Sequence, residues 1–162
     1  MSPTSRRIVP PLLLALMLFV SASMASTQVA RAQNVVGDKN VDKPLYVEYK
    51  GVRIGMETTE VRKKLGDPAD KGDTQDFFVF SEKESAQIYY DKDRKVMAVA
   101  VNYVGDGSGA PLPKVVLGTE IEVKADGAIH KMVRYPTAGY WVSYNRTGGD
   151  DPLVTVTMQK IH

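Results

Sequence analysis

A single helical pattern followed by a long series of strand-like segments constrains the fold of this chain more than any other feature. Val61 and Leu65 lie four residues apart, which places them on one face of a helix, and the basic residues 62–64 occupy its solvated side. Gly66 and then Pro68 are typical of the residues that follow a helix end. The sequence therefore predicts one dependable helix that ends near residue 65.

Strand-like segments fill most of the chain after this helix, and a further one precedes it. Each segment is short, rich in aromatic or β-branched residues and bounded by turn residues. They span residues 45–49, 77–80, 86–90, 95–103, 129–135, 140–144 and 153–158. One helix with runs of strands predicts the α+β class, in which a short helical segment packs on an antiparallel β-sheet.

The first 32 residues have the composition of a secretion signal. Arg6 and Arg7 precede an apolar stretch at 8–20, and small residues follow. Cleavage is predicted after Ala32, with the position after Ala25 as the alternative; a second alternative is an uncleaved anchor. The apolar stretch is too short for a spanning helix. We therefore expect a mature chain without a transmembrane segment, in the periplasm or secreted.

Removing the signal changes the charge balance of the chain. The first 32 residues contain three arginines and no acidic residue, so the rest holds 18 lysines and arginines against 19 acidic residues. The resulting net charge near −1 offers no basic surface for nucleic acid and no polybasic patch for an anionic membrane. The composition thus argues against nucleic acid as a partner.

The chain contains no cysteine. This excludes disulfides, thiolate metal sites and thiol catalysis. It also excludes the lipid-modified cysteine of a bacterial lipoprotein, so we expect no lipid anchor. The mature chain must then be held together by its apolar core alone.

Composition divides the mature chain into four segments. Residues 33–43 are polar and aperiodic, typical of a flexible lead-in, and residues 44–104 form the first module. The glycine- and proline-rich residues 105–113 are typical of a linker. Residues 114–162, which begin with the apolar-rich stretch 115–123, are predicted to be mostly β. They form either a degenerate second repeat or part of the same domain.

The helix and the hairpin after it resemble a known family. Residues 55–61 (GMETTEV), 65–68 (LGDP) and 90–96 (YDKDRKV) resemble the signature of the SmpA/BamE-like proteins, and the match covers about residues 50–103. The resemblance implies the fold of the β-lactamase inhibitor proteins, with a helical segment packed on an antiparallel sheet, sometimes in tandem. It also implies a binding or assembly module rather than an enzyme.

The residues that could support catalysis or metal binding are sparse. His130 and His162 are the only histidines, whereas a zinc site needs three or four ligands. Ser143 and Asp126 could be combined with His130 as a triad, but the nucleophile elbow of such hydrolases is missing. Residues 105–109 lack the lysine and the helix of a phosphate loop. We predict no metal, no cofactor and no enzymatic activity.

Aromatic residues and arginines in the predicted strands form the candidate binding surface. Adjacent aromatic residues on a strand face opposite sides, so one of each pair is expected to point away from the core. Tyrosine, tryptophan and arginine are favoured at protein interfaces. The candidate protein-binding residues are Tyr90, Arg134, Tyr140, Trp141, Tyr144 and Arg146. The alternative is that these rings serve sheet packing only.

These observations predict an exported, non-catalytic binding module that acts on a protein partner through a sheet face or edge. Cell-envelope assembly or maintenance is the expected context. The first alternative is an inhibitor of a secreted or periplasmic enzyme. The second, which the sequence disfavours, is a small hydrolase.

Overall fold

The computed structural model describes residues 43–105 and 109–161. A short helix, α1 (Thr58–Leu65), precedes the first strands, and a second, α2 (Pro113–Leu117), precedes the last three. A 3₁₀ turn, Pro136–Ala138, connects two of the strands. The strands are β1 (Asp70–Lys71), β2 (Gln75–Val79), β3 (Glu84–Tyr90), β4 (Val96–Tyr103), β5 (Ile129–Tyr135), β6 (Tyr140–Arg146) and β7 (Val154–Lys160).

All seven strands belong to one antiparallel sheet, in the order β1-β2-β3-β4-β7-β6-β5. At its centre β4 pairs with β7, from Ala98 opposite Gln159 to Tyr103 opposite Val154. Strands from before and after residues 105–113 therefore lie in one sheet. The sheet ends in a long edge strand, β5, and a two-residue edge strand, β1.

One face of the sheet, which we call the covered face, carries most of the core. Alternate residues of each strand point to this face, and its fully buried side chains include Phe78, Ile88, Val99, Val101, Val142, Val156 and Met158. Segments outside the sheet complete the core through Tyr49, Val52, Val61, Val116 and Leu117. Irregular segments and two short helices thus provide the cover for this face.

The predicted α+β class is wrong, because the described residues are mostly β. α1 has eight residues and buries only Thr58 and Val61, and α2 has five residues. Two turns of helix present too little apolar surface to cover a seven-stranded sheet, so no helical layer forms on it. Among the described residues, no helix has the length and apolar character needed to cross a membrane.

Two local expectations also differ from the structure. Residues 45–49 do not form a strand; they contain only the isolated bridge from Tyr49 to Val52. The apolar-rich stretch 115–123 begins inside α2 and continues without regular structure. Pro113 at the start of α2 favours helix because its ring already holds the required φ angle and its missing N–H has no helical partner there.

Candidate functional site

The second face of the sheet, which we call the open face, is made of three cross-strand rows of six residues. Each row lists residues directly opposite one another on β2, β3, β4, β7, β6 and β5. The first row is Gln75, Tyr89, Ala98, Gln159, Trp141 and Arg134. The second is Phe77, Gln87, Ala100, Thr157, Ser143 and Met132. The third is Val79, Ser85, Asn102, Thr155, Asn145 and His130.

The open face is almost uncharged. Arg134 is the only residue of the three rows with a permanent charge. The second row continues onto the short edge strand β1, where Asp70 lies opposite Phe77 and is the one carboxylate on this face of the strands. Large apolar side chains are nevertheless accessible: Val79 is 56% exposed and Met132 is 44% exposed. Aromatic rings, amides and hydroxyl groups make up most of the rest.

A shallow depression lies near the middle of the open face. It has a volume of about 340 Å³ and is lined by Tyr89, Met97, Ala98, Ala100, Thr157 and Gln159. The depression forms because the two alanines of β4 carry only a methyl group, while the side chains beside them are longer. A β-bulge at the start of β4, where Tyr89 pairs with Ala98 but Tyr90 pairs with Val96, brings Met97 to its rim.

The structure separates the six predicted binding residues. Trp141 and Arg134 lie directly opposite each other on the open face. Tyr90, Tyr140 and Tyr144 lie on the covered face and are only 4%, 8% and 4% exposed. Because side chains alternate along a strand, Trp141 cannot share a face with Tyr140 or Tyr144.

Arg146, the sixth predicted residue, is half-buried beside the turn that precedes β5. Its Nη1 donates a hydrogen bond of 2.6 Å to the backbone carbonyl of Gly127. Arg146 lies opposite Ile129 of β5 and Val154 of β7, and both of these belong to the covered face. It therefore tethers a turn and does not join the open-face pair.

Tyr90 belongs to a buried polar cluster around Asp76. Arg62 of α1 donates from Nε to Oδ2 and from Nη2 to Oδ1 of Asp76, each at 2.8 Å, and Tyr90 Oη donates to Oδ2 at 2.7 Å. The backbone N–H of Gly72 donates to Oδ1 at 3.2 Å. Burial alone would raise the pKa of Asp76, but the hydrogen bonds from Arg62, Tyr90 and Gly72 hold it below its ordinary value. This cluster joins α1 to β2 and β3.

A second polar cluster joins the segment before α1 to the sheet. Tyr49 Oη donates to Glu84 Oε1 at 2.7 Å, and Lys50 Nζ lies 3.4 Å from the same oxygen. Lys50 Nζ also sits 4.8 Å from the centre of the Phe80 ring. Burial, and then the nearby charge of Glu84, raise the pKa of Tyr103 to about 12. The contacts of Tyr49 and Lys50 are structural, since they connect an irregular segment to β3 and to Phe80, which follows β2.

The sequence predicts no metal site. Within residues 43–105 and 109–161, no group of three or more histidine, aspartate or glutamate side chains could hold a metal ion. His130 Nδ1 is hydrogen-bonded to Asn145 Oδ1 on the neighbouring strand. His162 and residues 106–108 of the glycine-rich segment lie outside the described residues.

Sequence reasoning missed most of the open face. Phe77, Gln87, Ala100 and Gln159 come from four different strands, and only the register between the strands brings them together. Alternation along a strand does give a signal, because it separates the two faces of that strand. It does not say which face is covered, so the site could not be assembled from the sequence.

Comparisons with known proteins give little guidance. No family model matches the chain, and no curated protein matches it. One similar solved structure is that of a DUF4309 family protein (YjgB) from Bacillus subtilis subsp. subtilis str. 168. It is 17% identical, with a TM-score of 0.48, and the match covers 69% of this chain and 84% of that chain. We draw no functional conclusion from a similarity at this level.

Proposed function

We propose that this chain is an exported, non-catalytic protein-binding module with a role in cell-envelope assembly or maintenance, and that it binds its partner through the open face. Export is proposed from the signal-like composition of residues 1–32. The envelope context is proposed from the resemblance of residues 50–103 to the SmpA/BamE-like proteins.

The composition of the open face is the observation that carries the proposal. The centres of protein–protein interfaces are depleted in charged residues and enriched in aromatic residues, methionine and arginine. The open face has the same bias: its rows contain Phe77, Tyr89, Trp141, Met132 and Arg134 and no lysine, and its one carboxylate, Asp70, lies at the β1 edge. Of the residues of this chain, 25% are charged, so a sheet face with so few charges is unusual. The open face therefore favours contact with an uncharged protein surface.

The depression between β3, β4 and β7 supports a protein partner further. Binding energy at interfaces is concentrated in a few anchor side chains that fill pockets on the other protein. The methyl groups of Ala98 and Ala100 form an apolar floor, and Tyr89 forms one wall. We propose that the partner inserts one apolar side chain here, while Trp141 packs against the partner nearby.

Affinity capture from the envelope fraction of the source cells tests this proposal. Wild-type protein is expected to recover a partner, and Trp141→Ala is expected to weaken its binding by at least about 2 kcal/mol, roughly thirtyfold. Ala100→Glu is expected to abolish recovery, because it places a charge in the floor of the depression. A partner that proves to be an enzyme inhibited on binding would indicate an inhibitor instead of an assembly factor.

Leu112→Ala provides the matched control, because Leu112 is a large apolar residue that is 70% exposed and lies outside the three rows. It should retain the partner. Thermal melting of each variant establishes that it is folded. Loss of the partner in Leu112→Ala to the same extent as in Trp141→Ala, or recovery of nothing by wild type, would contradict a binding role for the open face.

A further inference from the structure

The edge strand β5 offers an unpaired backbone along its outer side. It pairs with β6 over all seven residues, from Ile129 opposite Arg146 to Tyr135 opposite Tyr140. Apart from this ladder, the backbone of residues 130–134 forms no hydrogen bond with any described residue. Such an edge presents a row of free N–H and C=O groups, which is the template that an additional strand requires.

Space is available beside the first half of β5. A turn brings the backbone N–H of Lys124 to the carbonyl of Ala128 at 3.1 Å. A cleft of about 380 Å³ lies between the residues before this turn and β5. Residues 120–122 and Lys124 line one side of it, and His130 and Lys131 line it from the strand. An extended peptide could therefore enter along the strand without displacing a helix or another strand.

The charges beside the cleft select the kind of peptide. Lys124 and Lys131 line it, and neither forms an ion pair with a described residue. Two glutamates also line the cleft. Glu120 forms an ion pair with Lys114, whereas Glu122 forms no ion pair with a described residue. Arg134 adds a positive charge further along β5. The edge is therefore positively charged overall and repels a second copy of itself.

We propose that the free edge of β5 is a strand-addition site for an extended acidic peptide. Backbone hydrogen bonds to residues 130–134 supply part of the affinity. A cross-strand pair between a carboxylate and Lys131, together with the charge of Lys124 across the cleft, supplies the selectivity. This site differs from the open face, since it uses the edge of the sheet and lysines outside the three rows. Basic residues at a sheet edge can also serve only to prevent aggregation, and the experiment distinguishes the two roles.

The test uses a fluorescein-labelled, end-capped peptide of seven residues that alternates valine with glutamate, titrated into the purified full chain. We expect saturable binding, and binding at least about tenfold weaker for the same peptide with lysine in place of glutamate. The double variant Lys124→Glu with Lys131→Glu should weaken binding of the glutamate peptide by at least about tenfold. Trp141→Ala should leave it unchanged, which separates this site from the open face.

The matched control is Lys63→Glu with Lys92→Glu, since both lysines are exposed, lie outside the cleft and change the net charge equally. This variant should bind the glutamate peptide within about twofold of wild type. Hydrogen exchange should slow in residues 129–135 when the peptide is bound. Absence of binding at about millimolar protein, equal weakening by the two double variants, or exchange protection elsewhere but not in β5 would each overturn the proposal.

Discussion

Asp76 is fully buried, and each of its two carboxylate oxygens accepts two hydrogen bonds. A buried carboxylate is tolerated only when its charge is compensated and its lone pairs are filled. Arg62 supplies both a charge and a bidentate contact, and Tyr90 and Gly72 supply the remaining donors. Tyr90, one of the candidate binding residues, is therefore held in the interior by its hydrogen bond to Asp76.

Replacing Asp76 by Asn should lower the free energy of unfolding by about 3 kcal/mol at pH 7, because it leaves the guanidinium of Arg62 without its charge partner. The pKa of Asp76 is lowered in the folded state. Its contribution to stability is therefore present above the ordinary aspartate pKa and is lost as the pH falls through the lower, folded value. Urea unfolding at pH 7 and at about pH 3 measures both effects.

The difference in stability between wild type and Asp76→Asn should shrink at the lower pH. Asp73→Asn is the control, because the Asp73 side chain is 95% exposed and should show little effect at either pH. If Asp76→Asn lowers the free energy of unfolding equally at both pH values, Asp76 is not held in its charged form in the folded protein.

Tyr90 and Tyr135 allow a direct comparison of a bonded and an unbonded buried hydroxyl. Tyr90 Oη donates to Asp76, whereas the hydroxyl of Tyr135 is buried without a partner among the described residues. Tyr90→Phe should lower the free energy of unfolding by about 2 kcal/mol, whereas Tyr135→Phe should leave it unchanged or raise it. Urea midpoints of the two variants test this, and an equal loss in both would contradict it.

At the scale of elements, the β3–β4 hairpin depends on its turn. Asp91 Oδ1 accepts hydrogen bonds from the backbone N–H groups of Asp93 and Lys95, at 3.0 and 2.9 Å. Arg94 has φ = 59°, in the left-handed region that a Cβ atom disfavours. The turn thus combines a favourable side-chain cap with one strained residue.

Arg94→Gly should be more stable than Arg94→Ala by about 1 kcal/mol, because both variants lose the same side chain beyond Cβ but only glycine relaxes at positive φ. Thermal or urea unfolding of the two variants measures the difference. If alanine proves as stable as glycine here, the backbone conformation of residue 94 is not a source of strain.

The strands could be predicted from the sequence wherever the signals that define them, turn residues and alternation, lie within a few residues of each other. The predicted strand at residues 129–135 is confirmed with the same bounds, and the helix ends at Leu65, before Gly66, as expected. Strict alternation along the predicted strand 95–103 would place Val96 and Ala98 on the same face. The bulge at Met97 shifts the phase, so Val96 joins the covered face and Ala98 the open face. A bulge depends on the partner strand, which the local sequence does not reveal.

At the scale of the whole molecule, each half contains a short helix followed by a three-stranded meander, and the first half has the additional strand β1 between the two. α1 precedes the meander β2–β3–β4, α2 precedes the meander β5–β6–β7, and the last strands of the two meanders pair at the centre of the sheet. The core crosses this junction, since Val99 lies opposite Met158 and Val101 opposite Val156. Neither half can open without exposing apolar surface of the other.

The two halves should therefore unfold in one cooperative transition. Ile88→Ala in β3 should reduce stability by about 3 kcal/mol. Because Trp141 in β6 is the only tryptophan, its fluorescence reports on the second half and should show the same shift in urea midpoint as far-UV circular dichroism. Two separate transitions, or a tryptophan signal that does not respond to the change in β3, would contradict this coupling.

Hydrophobic alternation, turn residues and the Gly66–Pro68 helix stop act over a few residues, so the sequence by itself determined the strands β2 to β7 and the end of α1. The two-residue strand β1 has no such pattern and was not predicted. It also determined the absence of disulfides, because there is no cysteine. The order of the strands, their register and the choice of which face is covered depend on contacts between distant residues. Only the tertiary structure decided that Trp141 and Arg134 lie outside while Tyr90, Tyr140 and Tyr144 lie inside, because burial of one sheet face is a property of the assembled core.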